Sequence, residues 1–292
     1  MFGWTLDEEH SFAVLDAYAR AGGNFIDTAD VYGRHGSGGS GSSEAIIGRW
    51  MAARGNRDEL VIATKVGLAP DPPGLSAEAI SKGIAGSLER LGTDCVDLYS
   101  AHRDDPATPL AETLGAFQRL IDEGRIRHAA ASNYSAQRLR EALAIGEREG
   151  MASYVALQPE YNLLERDGFE GALQSVCADQ GLACLPFYGL AKGFLTGKYR
   201  EGGSEIDSPR AAGVRAAYFN ERGFAVLDAL DGVAAAHRSN VAAVALAWLA
   251  AQPTVVAPLA SATSPAQLTD LIASAELHLS EDELTRLSAA CG

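Results

Sequence analysis

Short, almost wholly apolar runs alternate with amphipathic helical segments along the whole chain, and that rhythm restricts its fold more than any other feature. The runs are GNFIDTA (23–29), LVIATKV (60–66), CVDLYSAH (95–102), IRHAAAS (126–132), YVALQ (154–158), LACLPFY (182–188) and TVVAPLA (254–260). A strand with one wet face alternates apolar with polar residues. Most of these do not, so both faces are expected to be covered, as in a parallel sheet flanked by helices. The segments between them carry helix punctuation. Ser76 opens and Gly92 stops SAEAISKGIAGSLERLG; in TPLAETLGAFQRLIDEG, Thr108 is the expected cap, Pro109 the first position and Gly124 the end. No Pro- or Ser-rich linker divides the chain, so residues 1–292 are read as one α/β domain, a (β/α)8 TIM-type barrel. Seven runs are found where that barrel has eight. The opening MFGWTLDEEH enters a helix by about Asp7, so the first strand is expected to be truncated or missing.

Charge narrows the partners. With 38 acidic against 24 basic residues, a formal charge of -14 repels phosphate backbones and anionic lipid, so neither nucleic acid nor a membrane surface is expected. The longest apolar run, VAAVALAWLAA (241–251), is too short to span a bilayer. No basic flank with an apolar stretch precedes Asp7, and Cys95, Cys177, Cys184 and Cys291 lack metal or CxxC spacing. A reduced, cytoplasmic protein without a metal site is expected.

In a barrel of this kind chemistry gathers at the carboxyl ends of the strands. Taken in order, those ends offer Asp27, Lys65, His102, Ser132 with Asn133, Gln158, and Phe187 with Tyr188. Tyr32 follows Asp27 by five positions. A free phenol holds its proton too tightly to release it readily near neutrality, but an adjacent ammonium favours the phenolate. A buried Lys65 needs a counter-ion, for which Asp27 is the obvious choice, and a ring N–H of His102 suits an oxygen that gains negative charge. This set suits protonation of a carbonyl oxygen while another group delivers hydride to the carbon.

These residues sit in motifs that resemble the aldo-keto reductase family: FIDTADVYG, VIATKVG, LGTDCVDLYSAHR, GRIRHAAASNYS, LQPEYNLLERD and GFLTGKYR, in family order over nearly the whole chain. The resemblance implies an NAD(P)-dependent oxidoreductase acting on a small carbonyl compound or its alcohol. Tyr32 would be the general acid, tuned by Asp27 and Lys65, with His102 orienting the carbonyl. Ser132, Asn133 and Gln158 match residues that hold the nicotinamide carboxamide, and Phe187 falls where the family stacks a ring on it. Leu190, Gly197 and Lys198 match the segment beside the pyrophosphate. Ser261 and Gln267 lie in the strip that meets the adenosine end, which here lacks Lys or Arg, so Arg210 is the candidate for a 2′-phosphate. NADP is the expected cofactor, with NAD the alternative. The Gly/Ser-rich stretch GRHGSGGSGSSE (33–44) reads either as a mobile flap or as a passive surface loop. Two other readings compete: a barrel lyase or aldolase using Lys65 as a Schiff base, and a catalytically weak cofactor-binding subunit.

Overall fold

The computed structural model describes residues 1–36, 38–69, 71–204 and 206–291, and the chain divides into two compact units. The first comprises Met1–Gln158 with Gln180–Leu182 and Ser261–Pro265; the second comprises Pro159–Asp179, Ala183–Ala260 and Ala266–Gly292.

In the first unit, strand and helix alternate as expected: α1 (Glu8–Arg20), β1 (Phe25–Asp27), α2 (Ser42–Arg54), β2 (Val61–Val66), α3 (Ala77–Leu91), β3 (Val96–Ala101), α4 (Leu110–Asp122), β4 (Ile126–Ser132), α5 (Ala136–Glu149) and β5 (Tyr154–Gln158). Strands β1 to β5 are joined in sequence order, every pair parallel. Their apolar composition is explained by burial: Ile26, Ile62, Val96, Tyr99, Ala129 and Leu157 are all buried. A chain of edge-to-face rings, Tyr99 to Phe117 to Tyr154 to Tyr134, ties β3 and β5 to α4, with ring centres 5.6 to 6.1 Å apart. Between β4 and β5 the register slips by one residue, Ala129 pairing with Tyr154 but Ala131 with Leu157. The slip sets Ser132 directly beside Gln158.

Helix ends follow the sequence signals with one exception. Ser76 and Ser135 cap α3 and α5 by accepting from Ala79 N and Arg138 N. Thr108 does not cap α4. Its hydroxyl donates to Asp105 at 2.7 Å instead, and the helix begins at Leu110 with Pro109 as its N-cap. The bond to a carboxylate is charge-assisted and holds the Thr108 side chain on Asp105.

Among the described residues no strand precedes α1. Residues 1–6 form a tight turn in which Leu6 N donates to Met1 O and Phe2 and Leu6 make one isolated bridge. Strands at 182–188 and 254–260 were expected at full length, and here the second unit differs. Only β6 (Ala183–Cys184) is a strand; 254–260 is none, although Val255 bridges Cys184, Val256 N donates to Cys184 O, and Leu259 N donates to Pro186 O. Pro186 and Pro258 supply no N–H, which limits any regular ladder there. The α-helices of this unit among the described residues are α6 (Ala172–Gln180), α7 (Ala211–Tyr218), α8 (Glu221–His237), α9 (Val241–Ala250), α10 (Pro265–Ile272) and α11 (Glu281–Ala289), joined by turns and loops. The apolar run at 241–251 is α9, buried along eight of its ten residues. No single helix among the described residues is long and apolar enough to cross a membrane.

Candidate active site

Eight of the expected site residues lie in the first unit, and the strand ends bring all but Ser261 together. Lys65, the penultimate residue of β2, is fully buried. Its Nζ donates to Asp27 Oδ2 at 2.6 Å, to the backbone O of Thr28 at 2.7 Å, and to Tyr32 Oη at 3.3 Å, and lies 4.6 Å from the centre of the Tyr32 ring. All three ammonium protons thus have acceptors, which is what a buried cation requires. Burial works against the charge on Lys65, but Asp27 and then Tyr32 outweigh it, and the pKa is raised above its ordinary value.

The turn that brings Tyr32 back over Lys65 is local. Tyr32 N donates to Ala29 O, Asp30 N to Lys65 O and Ser43 N to Tyr32 O. Gly33, at φ +92°, follows because a Cβ there would sit 1.8 Å from Ser42 Oγ. Gly36 likewise lies against the backbone O of Gly3. Gly33, Gly36, Gly38 and Gly41 therefore answer to close packing in a run of turns, whereas a Cβ at Gly39 would meet open space; Ser37 lies outside the described residues.

The His102 ring meets the Tyr32 ring edge-on at 5.8 Å. Burial, and then the charges of Lys65, Arg103 and Arg34, push the imidazole pKa down to about 3. The ring is neutral at ordinary pH and can donate one N–H; its Nδ1 is buried and has no partner. From Asp27 the network continues: Gln158 Nε2 donates to Asp27 Oδ1 at 3.0 Å, Ser132 Oγ donates to Gln158 O, and Asn133 Nδ2 donates to both Ser132 Oγ and His102 O. Asn133 sits at φ +56°, a conformation its side chain helps hold.

Sequence reasoning missed what lies under this layer. Glu44, fully buried in the first turn of α2, accepts from Thr64 Oγ1 and from Arg90 Nε at 2.7 Å. Asp30 is buried with no partner on either oxygen; burial and then Glu44 raise its pKa to about 7. The partners Glu44 and Arg90 are 46 residues apart, so spacing could not have joined them.

The second unit holds the other candidates apart from Ser261. Phe187 packs edge-on against Tyr188 at 5.1 Å, and its N donates to Pro159 O. Leu190 opens a short 3-10 turn that Gly197 closes at φ +78°. Lys198 Nζ lies 5.3 Å from the Tyr199 ring centre, and Arg210 Cζ 5.8 Å from that of Tyr188. Ser261 is exposed on its loop, in the first unit, and Gln267 lies in the first turn of α10. Among the described residues no group of His, Cys, Asp and Glu could hold a metal ion.

The donor set suits a nicotinamide nucleotide. Asn133 spends its amide N–H groups on the protein and Gln158 one of its own, so the acceptors Asn133 Oδ1 and Gln158 Oε1 are what they offer to a carboxamide NH2. The second unit carries the cations Lys198, Arg200 and Arg210, with Arg200 bonded to Asp231.

The Aldo/keto reductase family model matches residues 1–291. The chain belongs to that family. Aldo/keto reductases fold as (β/α)8 barrels, and the parallel strand–helix units described above are of that α/β class. A protein of Oryza sativa subsp. japonica named as a probable voltage-gated potassium channel subunit beta is 34% identical over 280 residues, which cover 92% of this chain and 83% of its own. Aldo-keto reductase yakc of Schizosaccharomyces pombe, whose name specifies NADP(+), is 31% identical over 297 residues, 97% of this chain and 83% of its own. An NADH-specific methylglyoxal reductase of Escherichia coli (strain K12) is 30% identical over 296 residues, 93% of this chain and 84% of its own. Family and relatives together support an oxidoreductase.

Proposed function

We propose that this aldo/keto reductase reduces an aldehyde or ketone, or oxidises the corresponding alcohol, with Tyr32 as the general acid. The observation that carries the reading is the single ammonium of Lys65 shared by Asp27 Oδ2, Thr28 O and Tyr32 Oη. A nicotinamide cofactor, when bound, supplies the hydride. Tyr32 holds the proton at Oη and gives it to the carbonyl oxygen; the adjacent cation stabilises the phenolate left behind. Asp27 keeps Lys65 charged, and Gln158 keeps Asp27 oriented. Neutral His102 donates a hydrogen bond to the same carbonyl oxygen, since an imidazole with so low a pKa cannot protonate it outright.

The Schiff-base reading of Lys65 loses support in this arrangement. An amine must be neutral to attack a carbonyl, whereas Lys65 is fully buried, paired and raised in pKa. The reading as a cofactor-binding subunit keeps one observation in its favour, the name of the Oryza sativa relative. Tyr32→Phe separates these possibilities. It is expected to cut carbonyl reduction by about 10²- to 10⁴-fold while NADPH binding, followed by quenching of protein fluorescence, stays nearly unchanged. Unchanged turnover rejects Tyr32; cofactor binding without turnover of any carbonyl in the wild type favours the subunit reading.

For cofactor choice the proposal is NADPH. Lys198 and Arg210 are cations of the second unit that lie over the rings of Tyr199 and Tyr188, and the names of the two reductase relatives point opposite ways. A charged hydrogen bond or two from Arg210 to a 2′-phosphate is worth about 1 to 3 kcal/mol, or about 5- to 150-fold in the ratio of kcat/KM values. Arg210→Ala is expected to remove most of that ratio; a variant that keeps its full NADPH preference rules Arg210 out.

A further inference from the structure

We propose that the mouth of the Tyr32–His102 site takes a carbonyl substrate bearing a carboxylate or similar anionic group, with Arg34 and Arg103 as the residues that select it. The inference rests on the reductase reading above and names the substrate class of that same site. Both arginines leave directly from the reacting groups: Arg34 follows Tyr32 by two positions and Arg103 follows His102 by one, and the Tyr32 and His102 rings are in contact. Both are exposed. Among the described residues neither has a carboxylate oxygen within 4.0 Å, whereas Arg90 and Arg138 of the same unit are paired to Glu44 and Asp104.

The acids on the adjoining loops are already committed. Asp27 is taken by Lys65, Asp104 by two nitrogens of Arg138, and Asp105 by Leu75 N, Ala107 N and the Thr108 hydroxyl, while Asp30 is buried. The two guanidinium groups are therefore uncompensated next to the reacting pair, on a chain whose net charge is -14. A local positive spot on an acidic protein draws a small anion to itself while the remaining surface repels it.

The field reaches the site, since Lys65, Arg103 and Arg34 each act on the His102 ring in the same sense. Arg34 is also held in place. Its Nε donates to His35 Nε2 at 3.1 Å, and the His35 ring lies 5.9 Å from that of Trp4 in the N-terminal turn. No described hydrogen bond uses its terminal nitrogens, which is the fork that fits a carboxylate.

The test compares matched aldehydes that differ in charge, 4-carboxybenzaldehyde against 4-methylbenzaldehyde and succinic semialdehyde against butanal. Each is measured for turnover with NADPH and for calorimetric binding to protein saturated with NADP+. The charged member of at least one pair is expected to bind more tightly and react with a kcat/KM about 10-fold or more above its neutral partner, with the difference shrinking as salt is added. Arg34→Gln combined with Arg103→Gln should remove that advantage, bringing each charged aldehyde to the kcat/KM of its neutral partner in the same variant.

Equal handling of both members of both pairs overturns the inference while the reductase reading stands. So does a preference that survives the double substitution. Weaker NADPH binding in the double variant, matched by equal losses for charged and neutral aldehydes, assigns the arginines to the cofactor and likewise overturns it. A charge preference in binding with no turnover of any aldehyde supports the anion site and defeats the reductase reading instead.

Discussion

At the scale of single residues the first unit keeps two kinds of buried charge, and they behave oppositely. Lys65 is charged because three acceptors surround it; Asp30 has none, and burial with the neighbouring Glu44 carboxylate keeps its proton on up to a pH of about 7. Arg90 and Lys65 also face Asp30 and work in the opposite direction without prevailing. In the unfolded chain Asp30 loses its proton near pH 4. Between about pH 4 and 7 the folded state therefore binds the extra proton, and stability must fall as pH rises through that window, by up to about 1.4 kcal/mol per pH unit from this one group. Asp30→Asn cannot titrate. Urea unfolding of the variant at several pH values should show this slope removed and greater stability than the wild type at pH 8; parallel curves would mean that Asp30 is not the titrating group. The sequence marked Asp27, Tyr32, Lys65 and His102 as a set because they fall at or just beyond strand exits. It was silent on Asp30, which stands between Asp27 and Tyr32 and differs only in lacking a partner.

At the scale of elements, what positions the site is the tying of one βα loop to the next. Asp105, after β3, accepts from Leu75 N at the end of the β2–α3 loop, from Ala107 N, and from Thr108 Oγ1. Gly74 passes so close that a Cβ there would meet Asp105 Oδ2 at 2.4 Å. Burial would raise the Asp105 pKa, but these hydrogen bonds prevail and lower it. The clamp is thus present above the ordinary carboxylate range and loosens as pH falls through the lowered pKa. Asp105→Ala should accelerate amide hydrogen exchange at Leu75 and Ala107 at neutral pH, with little change at the amides of β2 and β3. Protection equal to that of the wild type would show that the loop holds itself. The helix signals at Ser76, Gly92 and Gly124 were legible because caps are local, whereas Thr108 misled because its better partner, Asp105, becomes available only when the loop folds back.

At the scale of the whole molecule, membership of the aldo/keto reductase family spans residues 1–291, while two compact units divide the chain. The second unit, poor in strand, is held by contacts between distant segments. Arg166 makes two bonds to Glu170 and one to Ser288 O in α11, Arg222 reaches Leu164 O and Cys291 O, and the indole of buried Trp248 donates to Ser288 Oγ. Arg166→Ala removes one of the links to α11 and leaves the Ser288 carbonyl unpaired; a loss of about 1 to 3 kcal/mol in urea unfolding is expected, together with a red shift of Trp248 fluorescence. A variant with unchanged midpoint and emission would show that α11 is held without the Arg166 bond. The sequence by itself determined the βα rhythm, the parallel pairing of β1 to β5, most helix ends, and which residues stand at the strand exits, because each of these follows from local periodicity and side-chain type. Only the tertiary structure decided that 254–260 forms no strand, that Thr108 serves Asp105, that Asp30 keeps its proton, and that Arg34 and Arg103 have no carboxylate within 4.0 Å among the described residues. Those outcomes depend on which groups compete for the same partner across tens of residues, and on how much water burial takes away, and neither quantity is written in any stretch of the chain.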